Sequence, residues 1–397
     1  RVFEDLLKIF GAEQERVLGS MYGGEASEVY AALLRSLSVV LEEKVEPLSL
    51  LLDRGKEEIA KPRRVLFDQG VCKLPHASEF GGMGVPFGVY ALAMEVAGAA
   101  DASSAMSLGI HNTVCDAVET FGTVEQKERL LPSLISGKKL ASFALTEASS
   151  GSDARSMHTT ATREGRYYVI EGSKMFITNA GEADVYLIFA AMGDEHGAFL
   201  VEGTNAGLKV GKALKEKLGM RASHTAEVRL TKCRVTEDSL LGKEGAGFEQ
   251  AKQLLDSSRI VMGMICVGIA QAAFSKALAY SKERELFRKK LSDMQITREK
   301  AANAVIEISA ARLLCMHAAK LKEGGKSYSS EAAQGKVLAT EMAVRTCDAA
   351  LQLFGGYGYT TDDVHRHLRD ARLLTIGEGA SEVLRMLIAS EALERER

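Results

Sequence analysis

Ala141-Ser142-Phe143-Ala144-Leu145-Thr146-Glu147-Ala148-Ser149-Ser150-Gly151-Ser152-Asp153 is where the chain changes character. An extended apolar stretch runs into a turn of small hydroxylated residues, whose backbone N–H groups can cradle an anion. Upstream, residues 1–135 read as helical, because segments 2–9, 27–51 and 88–98 carry apolar residues at spacings of three and four. Glycine turns break them at 22–24, 81–84 and 122–123. Thr123 and Gln126 have the spacing of a capping box at a helix start. Downstream, residues 136–242 hold short apolar or alternating runs at 167–170, 186–191, 197–201 and 227–230, with Gly, Asn and Asp between them. That spacing favours a small antiparallel sandwich or barrel over βαβ units. From 243 to 397 the chain is helical again, with long Ala, Leu and Met-rich stretches at 247–280, 297–321, 329–353 and 381–393. The expected fold class is therefore α+β, mostly α: an N-terminal helical domain over 1–135, a central antiparallel β-domain over 136–242 and a C-terminal four-helix bundle over 243–397.

Composition narrows the function. The chain has 397 residues, 46% of them apolar, enough for two or three domains with buried cores. Net charge is −3 and both signs are spread along the sequence, so no clustered basic face invites nucleic acid. The six cysteines form no CxxC, no His is read at ligand spacing from one, and no metal site is expected; they read as buried free thiols of a reducing compartment. The longest apolar run, 260–270, is too short for a bilayer, which needs ~20 residues, so no membrane span is expected. No signal peptide is visible, and bacterial cytosol or mitochondrial matrix are the compartments expected.

Three further segments carry chemistry. In Lys174-Met175-Phe176-Ile177-Thr178-Asn179-Ala180 an aromatic and a hydroxyl fall on one side of a strand, which suits a flat hydrogen-bonding ring. Gln352-Leu353-Phe354-Gly355-Gly356-Tyr357-Gly358 looks like a phosphate loop, but a helix precedes it, so a helix C-cap and a turn are expected. Finally, Ile376-Gly377-Glu378-Gly379-Ala380-Ser381 sets a carboxylate between two glycines ahead of a helix. A carboxylate there has an uncovered path to a bound small molecule. Each segment alone reads equally as a surface turn or an edge strand. Likewise His111, on an apolar helix, reads first as a satisfied core histidine, and His365 and His367 as part of a solvated or interface helix.

Taken in order, FALTEASSGSDA (143–154), KMFITNAG (174–181), KLGMRASHT (217–225), LLGKEGAGF (240–248) and RDARLLTIGEGASE (369–382) resemble the acyl-CoA dehydrogenase family, from about residue 75 to the C-terminus. The resemblance implies FAD at the junction of the blocks and a homotetramer built as a dimer of dimers. By position, Phe143, Leu145, Thr146, Ser152, Phe176, Ile177 and Thr178 would line the flavin of their own subunit. Arg284, Phe287, Gln295, Gln352, Gly355 and Gly356 would reach the neighbour's FAD, and Ala380 and Glu382 would follow the base along the cofactor. Ser152, Asp256, Arg259 and Gly379 would contact the acyl-CoA. Two departures stand out: Arg288 replaces the usual Gly after the Phe that Phe287 matches, and Ala380 replaces a common Thr.

The implied reaction is α,β-desaturation of an acyl-CoA thioester to the trans-2-enoyl-CoA. Glu378 is the α-proton base, flavin N5 accepts the hydride, and an electron-transfer flavoprotein takes the electrons. The position at which a minority of the family carries the base is Ser258 here, which leaves Glu378. An acyl-CoA oxidase using oxygen and a non-catalytic flavoprotein scaffold are the alternatives on the same framework.

Overall fold

In the computed structural model, which describes residues 11–360 and 362–394, three blocks follow one another; the helix read over 2–9 lies outside the described residues. The first comprises α1 (Ala12–Tyr22), α2 (Gly24–Lys44), α3 (Glu46–Asp53), α4 (Ala60–Asp68), α5 (Phe87–Ala100), α6 (Ala102–Phe121) and α7 (Val124–Ile135). Thr123 and Gln126 form the expected capping box on α7, satisfying two orphan donors of its first turn. The Gln126 amide also donates to the Asp238 and Leu240 carbonyls at 2.8 and 2.9 Å, so the cap doubles as a joint to the next block. A second joint is Asn179, whose Nδ2 donates to the Ser107 and Ala141 carbonyls (2.9 and 3.0 Å) while its Oδ1 accepts from the Ser107 hydroxyl.

The middle block is a seven-stranded sheet: β1 (Ala141–Ala144), β2 (Thr160–Glu164), β3 (Tyr167–Thr178), β4 (Val185–Met192), β5 (Glu195–Glu202), β6 (Leu208–Val210) and β7 (Thr225–Thr236). The order is β1-β4-β2-β3-β7-β6, with β5 also on β4. One expectation needs correction, since the sheet is not purely antiparallel: β1 runs parallel to β4, and so does β2. The 40 residues between β1 and β4 include the hydroxyl-rich turn and the β2–β3 hairpin, and so form a crossover that returns the chain in the same direction. Strands β3 and β7 each span twelve residues, longer than their apolar runs suggested, because pairing resumes beyond two irregularities, at 170/172 and 174/177.

The last block holds α8 (Gly247–Glu283), α9 (Gln295–Glu323), α10 (Ser329–Phe354), α11 (Gly356–Thr360), α12 (Asp362–Leu374) and α13 (Ser381–Glu394). Helix α8 is long and apolar enough to cross a bilayer by length and composition, but its apolar stretch is buried between α5, α10 and their neighbours. Gly355 ends α10 with φ 61°, as a C-cap should, but Gly356 then starts the short helix α11 rather than a turn. Of the two readings of helix α12, solvated or interface, the first is excluded at Arg366 and His367, which are both buried. Asp370 accepts from the Met220 N–H at 2.5 Å, and Arg369 forks onto Asp53, so α12 is tied to the β-block and to α3.

One small element is absent from the sequence reading. Between α8 and α9, β8 (Glu285–Leu286) and β9 (Lys289–Lys290) make a hairpin whose two loop residues, Phe287 and Arg288, have φ of 51° and 63°. Two consecutive left-handed residues are the geometry of a type I′ turn, which favours Asn-Gly. Neither residue is suited to it, at about 1 kcal/mol or more apiece. Arg288→Gly should therefore raise stability by about 1 kcal/mol, read as a higher midpoint in chemical denaturation with an unchanged slope.

Candidate active site

Leu373 to Ser381 connects α12 to α13, and the connection is tight. The Leu373 carbonyl accepts from the N–H groups of Ile376 and Gly377, both at 2.9 Å, and the Ser381 N–H reaches back to Thr375 O at 3.1 Å. Closing so short a loop forces positive φ on two residues in succession, 56° at Glu378 and 98° at Gly379. Glycine takes this without penalty. At Glu378 it is an uncommon state for a side chain with a Cβ, costing about 1–2 kcal/mol. A Cβ on Gly379 would stand 3.1 Å from Leu384 Cδ2 and 3.7 Å from Arg259 Nη2, so the turn lies directly against α8 and α13.

Glu378 is partly buried at the meeting of α8, α10 and α13. Burial pushes its carboxyl above the ordinary range, while the Ser258 hydroxyl and the charges of Lys336 and Arg259 pull the other way. Ser258 of α8 is buried and its hydroxyl has no hydrogen-bond partner among the described residues, which leaves it free to donate toward the neighbouring carboxylate. Among the described residues no acceptor takes the Glu378 N–H, so both a carboxylate and a free backbone donor belong to one residue. Arg259 and Asp256, expected at the acyl-CoA channel, bond to each other at 2.5 Å, and Ser329 donates to the same Asp256 oxygen at 3.0 Å. Gly379, the fourth residue expected at the substrate, offers a carbonyl to the Lys336 ammonium at 2.5 Å.

A second group forms on β1 and β3. The Met175 N–H donates to Thr146 O at 2.8 Å, which sets the hydroxyl-rich turn beside the bulge of β3. Beneath them Lys174, fully buried, donates to Leu145 O (3.0 Å) and to Glu147 (2.8 Å), and Glu147 accepts from the N–H groups of His158 and Thr159. This network holds the Glu147 carboxyl at about 2 despite its burial. The bulge gives Phe176 a φ of 60° and leaves its ring 59% exposed, while Ile177 is buried behind it and Thr178 is partly exposed. Phe143 and Leu145 are buried, Phe143 against Phe189 at 5.1 Å, so their side chains pack the core and leave backbone toward the site. Thr146 is partly exposed and Ser152 exposed. An open aromatic face bordered by hydroxyls and backbone groups fits a flat heterocycle.

Arg284, Phe287, Gln295, Gln352, Gly355 and Gly356 are all exposed, Phe287 at 90%. Tyr280 stacks on Phe354 with ring centres 4.4 Å apart, which lays the end of α8, and so Arg284, beside the end of α10 and its Gly355 cap. Ala380 is partly exposed and Glu382 exposed on the first turn of α13.

Two residues escaped the sequence reading, Lys174 and Lys336; their signal lay in apolar or small residues on both sides of a lone cation. One cluster also departs from it: Cys72, His111 and Cys115 converge, with ligand atoms within 4.8 Å of one another. His111, however, is spent on structure. Its Nδ1 accepts from the Ala141 N–H at 2.9 Å and its Nε2 faces Leu134 O at 3.1 Å, as expected for a satisfied core histidine.

Comparison with known proteins covers all three blocks. The N-terminal domain of acyl-CoA dehydrogenase matches residues 27–138, the middle domain 142–233 and the C-terminal domain 245–393. A short-chain-specific acyl-CoA dehydrogenase of Clostridium acetobutylicum is 36% identical over 357 residues, covering 88% of this chain and 94% of that protein. The structure of butyryl-CoA dehydrogenase from Megasphaera elsdenii superposes with a TM-score of 0.89 at 34% identity, over 92% of this chain and 98% of that one. A glutaryl-CoA dehydrogenase from Mycobacterium smegmatis in complex with FADH2 gives 0.87 at 26% identity, over 91% and 94%.

Proposed function

Because this chain belongs to the acyl-CoA dehydrogenase family, and is an oxidoreductase of acyl-CoA thioesters on that ground, we propose that Glu378 is its catalytic base and short acyl-CoA thioesters are its substrates. The observation that carries this is Glu378 itself: a carboxylate and an unpaired N–H on one strained residue, desolvated beside Ser258 and two cations. The carboxylate takes the α-proton. The N–H donates to the thioester oxygen as charge builds there, a preorganised donor of the kind worth ~2.7–4 kcal/mol. Ser258 cannot compete as base.

The family is flavin-dependent, and the residues of β1–β3 fit FAD: Phe176 offers its exposed ring, Thr146 and Thr178 offer hydroxyls, and the 146–152 turn offers backbone N–H groups. FAD, when bound there, supplies the acceptor for the β-hydride. Arg284, Phe287, Gln295, Gln352 and the Gly355-Gly356 pair serve a neighbouring subunit's cofactor, so the working unit is an oligomer, a dimer of dimers. An electron-transfer flavoprotein takes the electrons on.

The short chain has support from α5 and α8. A Cβ on Gly98 would sit 2.6 Å from Ile265 O, and one on Gly268 would sit 2.1 Å from Glu95 O, so the two helices cross with backbones in contact. Ile265 lies seven residues beyond Ser258, or ~10 Å along the helix. A chain running from Ser258 along α8 meets that crossing within ~10 Å, well short of the length of an extended palmitoyl chain.

The test is a titration of the purified yellow protein with acyl-CoAs of rising length, without oxygen, followed by air. Butyryl-CoA should bleach the flavin, palmitoyl-CoA should not, and the bleached state should persist in air. Rapid recolouring with peroxide would indicate an oxidase, and a protein that no thioester bleaches would indicate a scaffold.

A further inference from the structure

Lys336 has no part in the reaction derived above, yet it is the nearest buried cation to the turn that carries the base. It sits in the middle of α10 with its side chain fully buried. Its neighbours along the helix face, Ala332, Ala333, Ala339 and Thr340, are buried as well, so the side chain runs through the protein interior. It donates to the Gly379 carbonyl at 2.5 Å. Burying a lysine costs several kcal/mol unless its charge is answered, and a single neutral carbonyl answers little of it. The charged partner it lacks stands one residue back along the chain.

We propose that Lys336 is the positioning residue of this active site: its ammonium pins the 378–379 turn through the Gly379 carbonyl and holds a fixed positive charge beside the Glu378 carboxylate. Pinning matters because Glu378 occupies a left-handed backbone state that persists only where the surroundings enforce it. The charge matters because acyl-CoA binding excludes water from the carboxylate. Desolvation alone would drive the carboxyl toward its neutral, inactive form, and a cation within reach opposes this more strongly as water leaves.

The groups facing the turn are few. Helix α8 contributes Ser258, the Cys266 thiol and Arg259, the last shared with Asp256. Helix α10 contributes Lys336 and Glu341, and Glu341 is engaged by Arg385 of α13. Arg259 is thus partly neutralised by its own neighbour, while Lys336 makes no direct ion pair among the described residues and feels Glu378 more than any other carboxylate. Burial lowers the lysine to about 8, and among the carboxylates it is Glu378 that most opposes this.

This inference rests on Glu378 being the base, and three variants separate the two. Lys336→Gln keeps a donor of similar length for Gly379 O and removes the charge, Lys336→Met removes both, and Lys336→Arg keeps the charge. Flavin content is measured first by absorbance, then kcat for butyryl-CoA against pH. In the Gln variant the acid limb of the profile should move up by about one pH unit, the lower end of what a nearby opposite charge does to a carboxyl. Activity on that limb should fall about tenfold. Lys336→Met should move it as far and lower kcat further, with the turn unpinned, while Lys336→Arg should leave it in place. A Gln variant with normal flavin and an unmoved acid limb would overturn the proposal, as would an Arg variant whose limb moves as far as that of Gln. If instead Glu378→Gln still turns over, the base assignment fails and this inference falls with it.

Discussion

Glu378→Gln is expected to fold, bind flavin and stay yellow when butyryl-CoA is added, with turnover down about 10³-fold. The substitution keeps the shape and removes only the charge. Glutamine cannot take a proton, and positioned general-base catalysis contributes roughly 10²–10⁴ in rate, so 10³ corresponds to about 4 kcal/mol on the barrier. Flavin binding should survive because the Glu378 side chain makes no hydrogen bond to β1–β3, whose open face is set by Lys174 and Glu147. The amide also meets no worse an environment than the acid did: the buried Ser258 hydroxyl has no other partner among the described residues and is free to donate to its oxygen, and burial penalises a neutral group less than the carboxylate it replaces. Rapid-mixing absorbance of the bound flavin reads the loss directly, and bleaching at the wild-type rate would remove Glu378 from the reaction.

The second large effect concerns stability, at a place far from the chemistry in sequence. Arg312 of α9 is fully buried, and its Nε and Nη2 donate to the two oxygens of Glu95 at 2.9 and 2.8 Å. Its Nη2 also reaches Gln271 Oε1 at 2.9 Å, and its Nη1 pairs with Glu13 at 2.7 Å. One guanidinium therefore ties together α1, α5, α8 and α9. Its worth is not the sum of those bonds, because desolvation of both ions offsets most of their attraction. Removing one side is another matter. Arg312→Met leaves the Glu95 carboxylate buried without its cation, which should cost about 3–5 kcal/mol. That is a large part of the roughly 5–15 kcal/mol that holds such a protein folded. The checking measurement is the urea midpoint, together with the double variant Glu95→Gln and Arg312→Met, which should recover part of the loss because the stranded charge is gone. Equal midpoints for the wild type and Arg312→Met would mean that the pair holds nothing together.

How much of this the sequence made legible follows from which forces are local. Helices announce themselves by period and caps, so α8, α9 and α10 begin and end within three residues of their expected bounds. The Thr123 cap was visible because a capping box is a four-residue event. Sheet topology is not local. Nothing within Ala141–Ala144 says that its partner lies forty residues on and runs parallel, and the bulge that turns Phe176 outward depends on the register of β7. The Glu378 loop was readable because glycines mark it, whereas Lys336 looks like any solvated helix lysine until the small residues three and four positions away are noticed. The Cys72–His111–Cys115 convergence was half legible, because His111 and Cys115 stand one turn apart on α6 and only Cys72 arrives from another element.

Proton exchange at the substrate's α-carbon tests the central claim most directly. Butyryl-CoA is incubated with the protein in heavy water under conditions that keep the flavin reduced, so that no net oxidation occurs, and deuterium at Cα is read by mass spectrometry. The wild type should wash deuterium in at many times the rate without protein, and Glu378→Gln should sit at the background. Exchange in that variant as fast as in the wild type would contradict the account, because another group would then be lifting the proton.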